Sequence, residues 1–190
     1  MNKREKIIIE AKRLFGHYGY LGFTLKLLAE ACDMTSPAMY YFYSSKADLF
    51  YDCMLSELEA RKVTLENCAA HASTLAEFGR ALAYQAIDVC DASKFITGHA
   101  MDDIVHLPQE MQHMIMETWK SMLLEPVETF LARVHPEESP VLSRRLQSTF
   151  IISIACFSAK HVTEFTRDEL AALFVAVCEG LDQTVVASRS

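Results

Sequence analysis

Apolar and polar residues follow one another along this chain with the period of an α-helix almost throughout. Ile7, Ile8, Ala11, Leu14 and Phe15 form a single stripe at i, i+3, i+4, i+7 spacing. Gly16 and Gly19 are expected to close that first helix. Thr24 offers an N-cap for a short second helix, and Asp33 to Thr35 reads as a turn. Ser36 followed by Pro37 supplies a capping hydroxyl and then a proline at the first helical position, which predicts a short third helix. Ser44 and Ser45 cap a fourth, beginning at Lys46 and running past Leu65. Further helices are expected near 74–91, 94–106, 108–134, 139–165 and 167–187, with Pro126 kinking or breaking the 108–134 pattern. There is no Val/Ile/Thr alternation long enough for a sheet, and no internal repeat. The pattern predicts an all-α chain: a three-helix N-terminal unit over 1–48, then a helical bundle over 49–190.

Two short helices joined by a tight turn suggest a helix-turn-helix. Leu28, Ala29, Cys32, Met34, Met39 and Phe42 can meet inside it, and Ala29 is small where two helices must approach. Thr35, Ser36, Pro37, Ala38, Tyr40 and Tyr41 then remain outside, around the N-terminal part of the second helix. That part is the one that enters a DNA major groove. Small residues allow close approach, hydroxyls can meet phosphates or base edges, and Ala38 can touch a thymine methyl. Lys46, at a helix start, sits where a phosphate is favoured. Charge fits this division. Residues 1–50 hold seven basic and five acidic side chains, a net +2, while the whole chain carries −7, which leaves −9 on the other 140 residues.

The run AKRLFGHYGYLGFTLKLLAEACDMTSPAMYYFYSSKADLF resembles the DNA-binding domain of the TetR family of bacterial transcriptional regulators. Ala11, Leu14, Phe15, Gly19, Tyr20, Thr24, Ala29, Tyr40, Lys46 and Leu49 match the family pattern as they stand. Leu28, Met34, Thr35, Met39 and Tyr43 are close substitutions. The resemblance implies a dimeric repressor that binds a palindromic operator in double-stranded DNA. It also implies a C-terminal bundle that binds a small effector and pairs through its last two helices. Within the motif, Thr24, Tyr40 and Lys46 would hold phosphates, and Thr35, Ser36, Pro37, Ala38 and Tyr41 would face bases. Three positions depart from the pattern: Asp33 stands where the turn usually has glycine, Phe42 where histidine or tyrosine is usual, and Pro37 where glycine or alanine is common. Aspartate tolerates the left-handed conformation better than most residues, so the turn is expected to survive with a negative charge near DNA.

In the larger part, Phe150, Ile151, Ile152, Ile154, Ala155 and Phe157 surround one helix, which must be covered on more than one side. Leu170, Leu173, Phe174, Val177 and Leu181 line a face of the last helix. Adaptable and aromatic side chains give the expected ligand-pocket set: Phe78, Tyr84, Phe95, His99, Met101, Met111, Met114, Ile115, Trp119, Met122, Phe150 and Ile154. They suit a hydrophobic or aromatic effector. His99, His106 and His113 recur every seven residues, but Pro108 interrupts the helix that would align them, so no metal site is expected.

The six cysteines form no C-x-x-C pair and read as reduced core residues of a cytoplasmic protein. No signal-peptide pattern and no membrane-length apolar run is found. The nucleophile elbow, the phosphate loop and the H-E-x-x-H zinc motif are all missing, so no catalytic residues, no cofactor and no enzyme are expected. Two readings compete with the ligand-responsive repressor: a DNA-binding protein of the same fold without an inducer, and a helical adaptor for other proteins.

Overall fold

The computed structural model describes residues 2–92, 95, 100–136, 143–160 and 166–187. All regular structure among them is helical: α1 Lys3–Gly22, α2 Leu25–Ala31, α3 Ser36–Phe42, α4 Lys46–His71, α5 Leu75–Ala92, α6 Met101–Asp103 with a 3-10 turn over Ile104–His106, α7 Gln109–Trp119, α8 Glu125–Val134, α9 Arg144–Lys160 and α10 Arg167–Ala187. None of these helices is long and apolar enough to cross a membrane.

Side chains take over the amides that a helix start leaves without partners. Asn2 and Glu5 form a reciprocal capping box on α1. Thr24 Oγ1 accepts from Leu27 N at 3.2 Å to start α2. On α4, Ser45 Oγ accepts from Asp48 N at 3.1 Å. Ser44 donates to the Asp48 carboxylate, and this bond is the main reason its pKa lies below the usual range. Thr74 with Glu77 and Thr166 with Glu169 repeat the capping box at α5 and α10.

Three local expectations are revised. The cap of α3 is Thr35, whose Oγ1 accepts from Ala38 N, so Ser36 is the first helical residue and Pro37 the second. Both positions lack an intrahelical amide bond, so proline fits either. Gly16 lies inside α1, and the break falls at Gly19 alone, with φ 65° and ψ 173°. Pro126 does not end its helix. A π turn over Lys120–Leu124 precedes it, with Glu125 N donating to Lys120 O. The wider turn moves carbonyls away from the proline ring and lets the chain continue into α8.

The chain divides into two compact units. Met1–Leu58 with Ala92–Thr118 form the first, and Glu59–Asp91 with Trp119–Ser190 the second. The first is centred on aromatic rings. Phe15 stacks on Phe23 at 3.8 Å and meets Phe50 edge-on at 5.1 Å, while Phe50 also meets Tyr20 and Phe95 at 5.3 and 5.4 Å. Lys12 pairs with the buried Glu57 at 2.8 Å. In the second unit, Phe78 of α5 stacks on Phe130 of α8 at 4.5 Å. Arg133 lies over the same Phe130 ring and donates to Ala69 O and Ala72 O at the end of α4, where a cation complements the helix dipole. Leu170, Ala171, Phe174 and Cys178 are the buried face of α10, while Leu173 is exposed.

Candidate nucleic-acid interface

The α2–turn–α3 segment folds around small and apolar residues. Leu28, Ala29, Cys32 and Met39 are buried, and Met34 and Phe42 pack partly against them. The turn is closed by Met34 N donating to Ala29 O at 2.8 Å. Asp33 sits in it at φ +54°, the left-handed conformation expected from its position. A non-glycine residue there is strained by about 1–2 kcal/mol, partly offset by the smaller entropy it loses on folding. Asp33→Gly is therefore expected to stabilise the protein by about 1 kcal/mol. Chemical denaturation would show this as a raised midpoint, and an unchanged or lowered midpoint would refute the strain.

With Met39 turned inward, α3 presents its other side to solvent. Tyr41 is 88% exposed and Tyr40 57%. Pro37 is exposed, with Ser36 and Ala38 partly so. Thr24 and Thr35 are exposed at the starts of α2 and α3. Their oxygens accept capping bonds, which leaves each O–H free to donate outward. The seven residues thus share one small, polar and aromatic surface on two helix starts and one helix face.

Lys46, the eighth expected DNA residue, is placed differently. Its Nζ donates to the carbonyls of Tyr20 at 2.7 Å and Phe23 at 3.2 Å, and lies 4.3 Å over the Tyr20 ring. Burial lowers its pKa, and the negative charge of Asp103 works against that. In this arrangement its ammonium serves the α1–α2 turn. Tyr43 is a residue whose task the sequence did not disclose. It is buried, donates to Asp52 at 3.0 Å and accepts from Arg4, and burial is the main cause of a hydroxyl pKa pushed up to about 12. Asp103 is another: it accepts from the backbone amide of Tyr20 at 2.7 Å.

The expected pocket residues are spread over both units. Phe95 and Ile115 are buried in the first, Met111 packs partly against its core, and Met101 and Met114 are exposed. In the second, Phe78 is buried, Trp119, Met122 and Ile154 are half-buried, and Tyr84 and Phe150 are exposed. The Tyr84 hydroxyl donates to Asp168 at 2.8 Å. His99 lies outside the described residues. The second unit holds a mainly apolar cavity of about 40 Å³ among Leu65, Leu82, Leu123 and Ile152, with Arg61 and Thr64 also lining it. Of the eleven described residues of the set none lines it, while Leu123 and Ala155, next in the chain to Met122 and Ile154, do. Helical spacing identifies an apolar face, not which side of it borders a void. Buried thiols are held protonated: burial pushes Cys68 to about 11 and Cys178 to about 12.

A helix-turn-helix with a buried core and an exposed α3 face, within described residues whose regular structure is all helical, is the arrangement of helix-turn-helix DNA-binding domains. Residues 7–53 match the family described as bacterial regulatory proteins, tetR family. The chain carries that family's N-terminal segment and has the fold of TetR-family regulators. No curated protein matches it. Among solved structures it is similar to AibR in complex with isovaleryl coenzyme A and operator DNA, at 17% identity, 92% of this chain, 96% of that one and a TM-score of 0.73. It is also similar to PfmR from Thermus thermophilus, at 18% identity, 91% and 97% coverage and a TM-score of 0.71. FadR from Bacillus subtilis in complex with stearoyl-CoA gives 14% identity, 96% and 99% coverage and a TM-score of 0.71. PfmR and FadR are transcriptional regulators, and at such identities all three show a shared fold.

Proposed function

We propose that this protein is a dimeric, operator-binding transcriptional repressor released by a small, largely apolar ligand. The observation that carries the reading is the exposed face of α3, with Tyr40 and Tyr41 outward and Met39 fully buried behind them. Two such faces are needed to read half-sites about 34–36 Å apart or a multiple of that spacing. Leu146 and Phe150 on α9 and Leu173 on α10 are large apolar side chains left exposed on the single chain, which supports pairing through these helices. The domain organisation we propose is a reading domain over 1–48 and a ligand-binding and dimerisation domain over 49–190. Thr24, Thr35 and Tyr40 would hold phosphates, with the Lys46 charge adding attraction from its place on the α1–α2 turn. Ser36, Pro37, Ala38 and Tyr41 would face bases.

The effector would enter the second unit by widening the cavity beside Leu123 and Ile152, since about 40 Å³ holds only a few water molecules. Because AibR and Bacillus subtilis FadR were solved with acyl-CoA molecules, acyl thioesters are the first compounds to screen. A ligand that binds the open form better than the DNA-bound form shifts the population away from the operator.

The deciding experiment is binding of wild type, Tyr40→Ala and Tyr41→Ala to duplexes selected by the wild type from a random pool, at two salt concentrations. Wild-type binding should fall steeply with salt. Each variant should weaken it about tenfold or more, while folding stability changes by no more than about 0.5 kcal/mol at such exposed sites. Failure of the wild type to select any duplex would sink the reading.

A further inference from the structure

We propose that Asp103, which lies 83 residues beyond Tyr20, is a positioning residue for DNA binding: it holds the turn from which α2 and Thr24 are presented. The inference rests on the reading of residues 1–48 as the DNA-binding domain and adds to it a residue from outside that span, which packs in the same compact unit.

At Gly19 the backbone leaves the helix, so the amide of the following Tyr20 drops out of the helical ladder. Tyr20 is buried. Its N–H donates to Asp103 Oδ2 at 2.7 Å. The other polar groups of the turn are tied as well. Phe23 N donates to Gly19 O at 3.2 Å, and Lys46 takes the Tyr20 and Phe23 carbonyls. His106, from the same later segment as Asp103, stacks against the Tyr20 ring with centroids 6.3 Å apart. One carboxylate and one ammonium thus bracket the turn, the first on its amide and the second on its carbonyls. The next residue is Thr24, whose oxygen caps α2.

Thr24 has no slack of its own, because its cap bond and the turn fix where its hydroxyl points. Removing the Asp103 acceptor leaves the Tyr20 amide without its charged partner, and the turn relaxes toward any conformation that hydrates it. The α2 start then departs from the position a phosphate requires. A displacement of this kind weakens DNA binding without any change in a DNA-touching side chain.

The test compares wild type with Asp103→Ala, Asp103→Asn, Asp103→Glu and the neighbouring exposed Asp102→Ala on a duplex selected by the wild type. Amide hydrogen exchange over residues 19–28 is followed in parallel. Asp103→Ala is expected to weaken binding about tenfold per reading unit and to speed exchange in 19–28. Asp103→Asn, which keeps an oxygen acceptor for Tyr20 N, recovers most of both. Asp102→Ala changes neither. Should Asp103→Ala fail to fold, Asp103→Glu decides: it keeps the charge, displaces the acceptor, and is expected to weaken binding and speed the same local exchange. Wild-type affinity in Asp103→Ala, or in Asp103→Glu where that variant decides, overturns the proposal and leaves the DNA-binding reading standing. A wild type that selects no duplex overturns both.

Discussion

Replacing Phe95 by alanine is expected to destabilise the first unit by about 3–5 kcal/mol, the range for emptying a buried aromatic site. Phe95 is 1% exposed, with its ring centroid 5.4 Å from Phe50 and 6.0 Å from Phe15. Phe15 is itself stacked between Phe23 and the edge of Phe50, so the cavity would open at the centre of the aromatic cluster. Rings so interlocked cannot collapse far into a void, which places the effect toward the upper part of that range. Denaturant titration at fixed protein concentration measures it, since association makes the midpoint concentration-dependent. Met101→Ala, at an exposed position in the same segment, is the control and should shift stability by no more than about 0.5 kcal/mol. If both variants unfold with the wild-type midpoint, Phe95 is not part of this core.

The second large effect belongs to Gly79. A Cβ placed there would stand 2.5 Å from Cys178 Sγ and 3.3 Å from the carbonyl oxygen of Phe174. Two effects oppose one another in Gly79→Ala. Alanine is the better helix former by about 1 kcal/mol. Overpacking a well-filled contact costs about 1–3 kcal/mol. The contact wins because the Phe174 carbonyl belongs to the α10 backbone and cannot swing aside as a side chain can. Net destabilisation of up to about 2 kcal/mol is expected for alanine and more for Gly79→Val, whose branched Cβ meets both atoms. Cys178→Ala in the Gly79→Ala background removes the nearer clash, so the double variant should be more stable than Gly79→Ala alone. Ordinary additivity of the two losses would show that α5 and α10 do not meet through this pair.

Much of the site was legible because it is local. The helix-turn-helix compresses its core, turn and exposed face into about twenty residues, and each is announced by residue type. Asp33 at a left-handed turn position, Thr24 as a cap, Met39 inward and Tyr41 outward all follow from spacing and chemistry over a few positions. The pocket set was less legible. Methionine and aromatic residues at helical spacing mark an apolar face, yet the same pattern serves a core. Phe95 closes an aromatic cluster, Phe78 stacks on Phe130, and Phe150 and Tyr84 stay exposed. The small difference between Met122 and Leu123, or between Ile154 and Ala155, decides which one borders the cavity, and one residue is 100° around a helix.

By itself the sequence determined the all-helical class, the short helices of the helix-turn-helix and the resemblance of its first quarter to one family, since all of these depend on neighbours within a turn or two of chain. Tertiary structure alone decided that Lys46 turns onto the carbonyls of Tyr20 and Phe23, that Tyr43 is held by Arg4 and Asp52, and that Asp103 reaches the Tyr20 amide. The physical reason is the same in each case. A charged or hydrogen-bonding side chain goes where burial leaves a backbone or polar group in need of a partner, and that need arises only once segments far apart in the chain have packed together.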